Sequence, residues 1–281
     1  TVSDLIKISG LSHGRDVWNG NAKDYFFGIK EGVSAIPFND LIGCRDDIMI
    51  YLLEKGLPAL SAFTIMEQVR KGNGVLPEQE KEMLRYDVPK WYIDSCKAIK
   101  YMFPKAHATA YVIMALRIGW FKLYRPIHYY AGYFSRRASA FDVETMVAGY
   151  DAIFQKVKDI EERINNKQDV SRKEIDIYDT LLLALEMTAR GYRFKQIDLE
   201  KSNWRDFLIE DNSLIIPFIA VDSLGESTAK SIVEAREESS FTSIKDLSRR
   251  TRLSNTLIER FNRLGILKNL PEDDQLEIFN N

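Results

Sequence analysis

Residues 103–111 read Phe-Pro-Lys-Ala-His-Ala-Thr-Ala-Tyr and open a long apolar run that predicts a helix from Ala108 to about Tyr124. The N-terminus of a helix carries a partial positive charge and unpaired N–H donors, which favour anions such as phosphate. Lys105 and His107 add two suitable side chains at the same end. The segment therefore predicts a helical protein with an anion-binding site that suits a triphosphate.

The 281-residue chain is balanced in charge, with 39 Lys and Arg against 41 Asp and Glu and a net charge of −2. This balance gives no general sign of a nucleic-acid partner, so any basic surface must be local. Hydrophobic residues make up 45% of the sequence, which is ordinary for a globular protein with a sizeable core. The length allows one large domain or two to three smaller ones.

The two cysteines, Cys44 and Cys96, are too few for a disulfide framework and suit a reducing cytosol. No histidine stands near both of them, which argues against a zinc site. No run approaches the roughly 20 apolar residues that a membrane-spanning helix needs. We therefore expect a cytoplasmic protein without a membrane partner. Because the chain does not begin with methionine, we also expect an excised fragment.

Apolar residues at three- and four-residue spacing predict mainly helical structure before residue 190. Asp46 or Asp47 is predicted to cap a helix that ends at Gly56, and Pro77 and Pro89 each fit the first turn of a following helix. Further helices are predicted over residues 62–69, 146–165 and 174–190.

The pattern changes after these helices. Residues 192–199 alternate in a strand-like manner, and residues 207–209 and 214–216 flank a short turn that predicts a hairpin. Short helices separated by turns follow between Val221 and Leu267. The remaining residues, 269–281, are mostly polar and acidic, and they predict a tail.

Five segments in the first half of the chain resemble the fingers domain of the PolC-type DNA polymerase III, a family of bacterial replicative polymerases. Their order and spacing match that family over most of the first 140 residues. The segments are Lys7–Trp18, Cys44–Met49, Ile65–Gly72, Asp87–Cys96 and Phe103–Tyr111.

The resemblance implies that the helical fingers close on an incoming deoxynucleoside triphosphate (dNTP). The residues implied to lie near its phosphates are Arg45, Arg70, Lys71, Lys105 and His107. The residues implied to face its sugar or base, or to form its apolar wall, are Tyr111, Met102 and Phe103. Each cation also has an ordinary alternative role as a helix-terminus or surface residue, and sequence spacing alone does not bring them together. Helix-face core packing is the simpler expectation for the aromatic residues between Trp120 and Phe134.

Residues 219–236 resemble a helix–hairpin–helix, a motif whose tight hairpin presents backbone N–H groups to a DNA phosphate without reading bases. Gly225 fits the second glycine of the hairpin, whereas Ser223 stands where the first is expected. The candidate DNA-binding residues here are Ser223, Leu224, Gly225 and Lys230.

A degenerate second copy is predicted over residues 253–267, beside the one locally basic stretch of the chain. Clustered arginines suit a DNA backbone, and Arg249 and Arg250 are the candidates for that contact. The alternative is a solvated helix face whose arginines form salt bridges with neighbouring glutamates, namely Glu237, Glu238 and Glu259.

Residues 275–279 read Gln-Leu-Glu-Ile-Phe and resemble the Gln-Leu-x-Leu-Phe peptide by which bacterial polymerases hold the beta sliding clamp. A flexible segment of this kind orders on binding, and its apolar side chains anchor it in a groove. The candidate clamp-binding residues are Gln275, Leu276, Ile278 and Phe279. The alternative is a disordered end without a partner.

Polymerase chemistry needs acidic residues that hold two metal ions. In the family that this chain resembles, these residues lie in a palm, on an Asp-x-Asp-x-Asp-like strand, and the sequence contains no such strand. We therefore expect Mg²⁺ in the complete polymerase only, no metal site in this chain, and no catalysis by this chain alone.

Together these features predict a mainly α protein in four parts. They are a helical fingers domain (1–168), a small β-containing connector (169–218), a helix–hairpin–helix module (219–268) and a flexible clamp-binding tail (269–281). The predicted function is that of part of a replicative DNA-directed DNA polymerase, the C-terminal part, at the bacterial nucleoid. Its expected partners are dNTP, primer–template duplex DNA, the beta sliding clamp and the remainder of the polymerase chain. The alternatives are a non-enzymatic helix–hairpin–helix DNA-binding adaptor with a clamp-docking tail, and a helical interaction scaffold.

Overall fold

The computed structural model describes residues 1–273, and it confirms the predicted mainly helical fold class. The chain forms two compact units, Thr1–Ile118 and one that begins at Gly119. Each unit encloses its own hydrophobic core. The predicted boundaries at residues 168, 218 and 268 divide the chain by function, and they stay predictions.

The first unit is built from six helices and the start of a seventh. Thr1 caps the first of them, because its side chain accepts the N–H of Asp4 while the Asp4 carboxylate binds the chain's amino group. The helices are α1 (Val2–His13), α2 (Lys23–Phe26), α3 (Arg45–Glu54), α4 (Ala59–Arg70), α5 (Pro77–Arg85), α6 (Lys90–Ala98) and α7 (Lys105–Tyr124).

The start of α3 differs from the predicted one. Neither Asp46 nor Asp47 is its cap, because Cys44 is the residue that precedes its first turn. The carboxylate of Asp47 instead reaches back and accepts hydrogen bonds from the N–H groups of Gly43 and Cys44, at 3.0 and 3.1 Å. Asp46 is therefore not a cap of α3, and its carboxylate accepts the N–H of Lys105 at the start of α7 instead.

The second unit begins within α7, and its described residues form seven further α-helices. The predicted helix over 146–165 is in fact two helices, because Gly149 between them has φ 94°, a conformation that L-residues rarely adopt. The helices are α8 (Pro126–Arg136), α9 (Val143–Ala148), α10 (Tyr150–Asn165), α11 (Arg172–Ala189), α12 (Glu226–Glu238), α13 (Ile244–Arg250) and α14 (Asn255–Arg263).

A three-stranded sheet lies between α11 and α12 in the chain. Its strands are β1 (Arg193–Lys195), β2 (Leu208–Glu210) and β3 (Ser213–Ile215), in the spatial order β1-β3-β2. The antiparallel pair β2–β3 confirms the predicted hairpin, and β1 pairs with β3 in parallel. The strand-like pattern over 192–199 was too broad, since only three of its residues pair.

Aromatic side chains fill the core of the second unit. The rings of Phe134, Phe194 and Phe207 meet with centroids 5.3–6.2 Å apart, and Phe218 stacks on Phe261 at 6.3 Å. These contacts join α8, the sheet and α14 in one core. The expectation that aromatics between Trp120 and Phe134 are core residues is only partly right. Tyr130 and Phe134 are buried, but Trp120, Phe121 and Tyr124 are exposed.

The first residues of the predicted tail belong to the folded structure. The carbonyl of Pro271 accepts the N–H of Ile244 at 2.9 Å, and the carbonyl of Glu272 accepts that of Lys245 at 3.3 Å. Residues 269–273 are therefore tied to the start of α13. The candidate clamp-binding residues Gln275, Leu276, Ile278 and Phe279 lie outside the described residues.

The turn after α4 offers a test of the fold. Gly72 has φ 80°, and an added Cβ would lie 2.3 Å from the carbonyl oxygen of Lys100, whereas Gly74 has φ 70° and no atom within 4 Å of that position. Gly72→Ala should therefore lower the free energy of unfolding by about 3 kcal/mol and Gly74→Ala by only about 1 kcal/mol. Urea unfolding followed by circular dichroism measures both. Equal losses would show that the close approach to Lys100 does not constrain the turn.

Candidate phosphate-binding and nucleic-acid sites

The extended segment Lys100–Phe103 brings together the parts of the first unit that carry the predicted phosphate-binding residues. The N–H of Met102 donates to the carbonyl of Arg70 at 3.3 Å, and the N–H of Arg45 donates to the carbonyl of Phe103 at 3.2 Å. The end of α4 and the start of α3 are thus held beside the segment that leads into α7. Candidates far apart in sequence become neighbours.

A single carboxylate, that of Glu67 on α4, gathers three of the predicted cations. Arg70 donates to it through Nε at 2.5 Å and Nη2 at 2.7 Å, the bidentate geometry that guanidinium prefers. The Nζ of Lys71 lies 3.4 Å from it and the guanidinium of Arg45 lies 3.5 Å away. The three cations therefore converge on one point that already holds an anion.

These contacts shift the protonation of Glu67. The hydrogen bonds from Arg70, followed by those from Lys71, lower its pKa from 4.5 to about 2. Glu67 is consequently charged throughout the neutral range. Sequence reasoning missed this residue, although its spacing of three and four from Arg70 and Lys71 is the usual spacing of ion pairs on a helix.

The N-terminus of α7 is already bound to carboxylates. The N–H of Lys105 donates to Asp46 at 2.6 Å, and the Nζ of Lys105 lies 3.7 Å from Asp47. Asp46 therefore takes one of the donors that the sequence argument assigned to phosphate. An anion at this end of the helix would meet both aspartates, so the cations around Glu67 form the better phosphate site.

Aromatic rings continue from this point along α7. Phe103 stacks on His107 with centroids 5.0 Å apart, and His107 contacts Tyr111 at 4.7 Å. The three rings line a small cavity of about 170 Å³ together with His13 of α1. Met102 does not share this surface, because it is only 1% exposed and belongs to the hydrophobic core. Its predicted place in a nucleotide's apolar wall does not fit this burial.

In the second unit, the predicted hairpin lies between Val221 and the start of α12. Ser223 has φ 63°, the left-handed conformation for which the motif ordinarily uses its first glycine. Leu224 is buried and anchors the hairpin, while Gly225 precedes the first turn of α12. Lys173 and Arg260 bind the carboxylate of Asp222, which lowers the pKa of that residue.

The two candidate arginines of α13 have different surroundings. Arg249 is 74% exposed and pairs with Asp246 at 2.8 Å. Arg250 is 17% exposed; it pairs with the same aspartate and donates to the carbonyls of Ala235 and Ser239. Arg250 thus fastens α12 to α13, which leaves Arg249 as the cation that faces solvent.

Two other cations of the helix–hairpin–helix region, Lys230 and Arg260, are also paired with carboxylates. Lys230 pairs with Glu226 at 2.6 Å and lies over the ring of Trp204 at 4.6 Å. Arg260 donates to Asp222, so Arg249, Arg250 and Arg260 pair with aspartates and not with the glutamates named in the alternative. Ser254 lies where the second hairpin is predicted, and its side chain caps the N-terminus of α14.

A cavity of about 700 Å³ borders the hairpin, and sequence reasoning did not find it. Its lining combines the hairpin and Trp204 with four cationic side chains, of which Arg172 is 84% exposed. The cations are Arg136, Arg172, Lys173 and Arg205. They come from three separate segments, so no local motif reveals their grouping.

Within residues 1–273, no group of three or more His, Cys, Asp or Glu side chains could hold a metal ion. Among the same residues, no helix has both the length and the apolar content that crossing a membrane requires. Cys44 and Cys96 are buried, unpaired thiols, and burial raises the pKa of Cys44 to about 12.

The family models that match this chain cover two separate parts of it. Residues 1–88 match the family model of the bacterial DNA polymerase III alpha subunit finger domain, and residues 191–275 match that of a helix–hairpin–helix motif. The chain is 50% identical over 285 residues to the PolC-type DNA polymerase III of Streptococcus sanguinis (strain SK36) and to that of Streptococcus pneumoniae serotype 2. Each alignment covers 99% of this chain and 19% of the relative.

The mainly helical fold and the family matches define a polymerase fingers domain accompanied by a helix–hairpin–helix motif. The chain belongs to the PolC-type DNA polymerase III family, and it spans about a fifth of the length (19%) of the curated relatives that it matches. The resemblance read from the sequence is confirmed.

The contrast between the two arginines of α13 is testable by stability. Arg250→Ala removes three links to α12 and to Asp246, and it should lower the free energy of unfolding by about 2 kcal/mol. Arg249→Ala removes one exposed ion pair and should change stability by less than about 0.5 kcal/mol. Urea unfolding of the two variants checks this. A loss on Arg249→Ala as large as that on Arg250→Ala would contradict it.

Proposed function

We propose that this chain is the part of a replicative DNA polymerase that binds the triphosphate of an incoming dNTP, contacts the backbone of primer–template DNA and docks on the beta sliding clamp. The observation that carries the proposal is the convergence of Arg45, Arg70 and Lys71 on one carboxylate, within the residues that match a polymerase III finger domain. Cations grouped in this way stabilise the charge that develops on a leaving pyrophosphate.

The nucleotide site has two neighbouring parts in the first unit. The cations around Glu67 take the phosphates, with Lys105 adding charge at the start of α7. The half-buried ring of Phe103 and the exposed rings of His107 and Tyr111 offer the sugar and base a surface to stack on, so His107 serves here as a stacking ring and not as the phosphate contact that the sequence predicts. Both parts meet at the segment Lys100–Phe103, because its backbone is bonded to Arg70 and Arg45.

The second unit supplies the grip on duplex DNA. The hairpin Ser223–Gly225 contacts a phosphate through its backbone N–H groups other than that of Leu224, which donates to the carbonyl of Val221 at 3.1 Å. Arg249, Lys230 and Arg172 add charge contacts. Such contacts follow the backbone and read no bases. They suit a polymerase, which must bind every sequence equally.

The remaining functions belong to the complete polymerase. Acidic residues in the remainder of the polymerase chain would hold Mg²⁺, which would supply Lewis-acid activation of the primer hydroxyl and charge stabilisation at the phosphates. This chain alone should then have no nucleotidyltransferase activity. Gln275, Leu276, Ile278 and Phe279 are the residues that dock on the beta sliding clamp.

The nucleotide site predicts weak but specific dNTP binding by the 281-residue chain. Arg70→Ala should abolish it, because Arg70 supplies the paired donors of the phosphate-binding group. Lys105→Ala should weaken it, because Lys105 adds charge beside that group. Isothermal titration with a dNTP measures this, with Arg85→Ala on α5 as the control for loss of an exposed cation. Identical titration curves for the wild type and both variants would rule out the phosphate assignment.

The DNA contact predicts a salt-dependent affinity for duplex DNA of any sequence. Arg249→Ala should weaken binding several-fold and reduce the slope of log K against log salt by about 1, since one phosphate contact is lost. Fluorescence anisotropy over a salt series measures the slope, again with Arg85→Ala as control. A slope unchanged by Arg249→Ala would exclude that contact.

The alternative function is a non-enzymatic DNA-binding adaptor, favoured by the helix–hairpin–helix match. It shares the DNA and clamp contacts but lacks the nucleotide site. The dNTP titration separates the two: an adaptor binds duplex DNA with the predicted salt slope and shows no dNTP binding that depends on Arg70.

A further inference from the structure

We propose that Glu67 is an internal counterion that takes the place of a phosphate group while the site is empty, and that the triphosphate displaces it on binding. This inference rests on the proposed nucleotide-binding function and names the device that makes the site selective for highly charged anions. A ligand must carry enough negative charge to replace a carboxylate that three cations already hold.

The geometry requires this exchange. Both oxygens of Glu67 are used, since Oε1 binds Arg70 and faces Arg45, while Oε2 binds Arg70 and faces Lys71. Guanidinium recognises carboxylate and phosphate through the same paired donors. A phosphate therefore cannot bind Arg70 through this pair of donors while the carboxylate of Glu67 occupies them.

The position of Glu67 also makes its release possible. Its side chain is 20% exposed and lies in the last turn of α4, where the helix dipole disfavours a negative charge. The cations are what hold the carboxylate there. Once a polyphosphate takes those cations, the side chain can rotate to solvent without disturbing the backbone hydrogen bond that ties Arg70 to Met102.

The exchange favours ligands of high charge. A singly charged anion gains no more from the three cations than Glu67 does, and Glu67 is held beside them by its own helix. A triphosphate brings several charges and engages Arg45, Arg70 and Lys71 together. The carboxylate thus lowers the affinity for all anions but lowers it most for small ones, which keeps abundant small anions out of the site.

Glu67→Gln tests the proposal, because it keeps the size of the side chain and removes its charge. Inorganic tripolyphosphate, titrated calorimetrically into the 281-residue chain at fixed ionic strength, should bind the variant about tenfold more tightly than the wild type. Inorganic phosphate should gain even more, so that the preference for tripolyphosphate over phosphate falls.

The control is Glu80→Gln in the same unit. Glu80 also holds two cations, Lys90 and Lys97, both at 2.7 Å, and its pKa is likewise lowered to about 2, chiefly by the hydrogen bond from Lys90. It matches Glu67 in charge and pairing but belongs to α5, away from the predicted phosphate-binding residues. Its variant should bind tripolyphosphate with wild-type affinity.

A melting experiment separates a counterion role from a merely structural one. Without ligand, Glu67→Gln should melt at a lower temperature at low salt, because three cations then repel one another. Added tripolyphosphate should raise its melting temperature more than that of the wild type. A variant that melts earlier but binds tripolyphosphate no more tightly than the wild type would overturn the proposal.

Failure of the proposed function would look different. If Arg70→Ala leaves the wild-type tripolyphosphate titration unchanged, the cations do not bind phosphate at all. If Arg70→Ala weakens binding while Glu67→Gln has wild-type or lower affinity, the phosphate site stands and only the counterion role of Glu67 is excluded.

Discussion

The backbone of Lys100–Phe103 is the constraint on which the first unit's site depends. This extended segment is hydrogen-bonded to Arg15 after α1, to Arg70 at the end of α4 and to Arg45 at the start of α3. Gly72 lets the turn after α4 approach the carbonyl of Lys100. An added Cβ would clash with that carbonyl, and the positive φ of Gly72 would strain any other residue. Side chains from α3 and α4 meet because their backbones are bonded to one short segment.

Paired charge is the second theme of the molecule. The lysines and arginines that sequence reasoning selected are bound to carboxylates, namely Glu67, Asp47, Glu226 and Asp246. A net charge of −2 therefore says little about local binding sites, because cation clusters and their counterions cancel in the sum. An anionic ligand binds such a surface by displacing a carboxylate from its cations. The affinity of each site therefore depends on the interaction free energy that the carboxylate loses when it is displaced.

A sequence motif predicts the role of a residue best where the backbone, and not a side chain, carries the function. Ser223 stands where the motif is expected to have its first glycine, and it adopts the left-handed conformation that this place in the hairpin requires. Roles that depend on a side chain were harder to assign. Met102 and Phe103 are adjacent, but one is buried in the core while the other stacks on His107. Arg249 and Arg250 are also adjacent, and only Arg249 faces solvent.

The sequence by itself determined the family, the mainly helical class, the β2–β3 hairpin and most helix positions. Apolar spacing, turn residues and motif order are local properties, and they can be read along the chain. Tertiary structure alone decided which side chains meet. It placed Asp46 on the first donor of α7 and brought Arg45 to Glu67, because these contacts depend on packing between segments that are distant in sequence. The pairs of Glu67 with Arg70 and Lys71 are local contacts along one helix. Local patterns specify what a segment is, and only the fold specifies its neighbours.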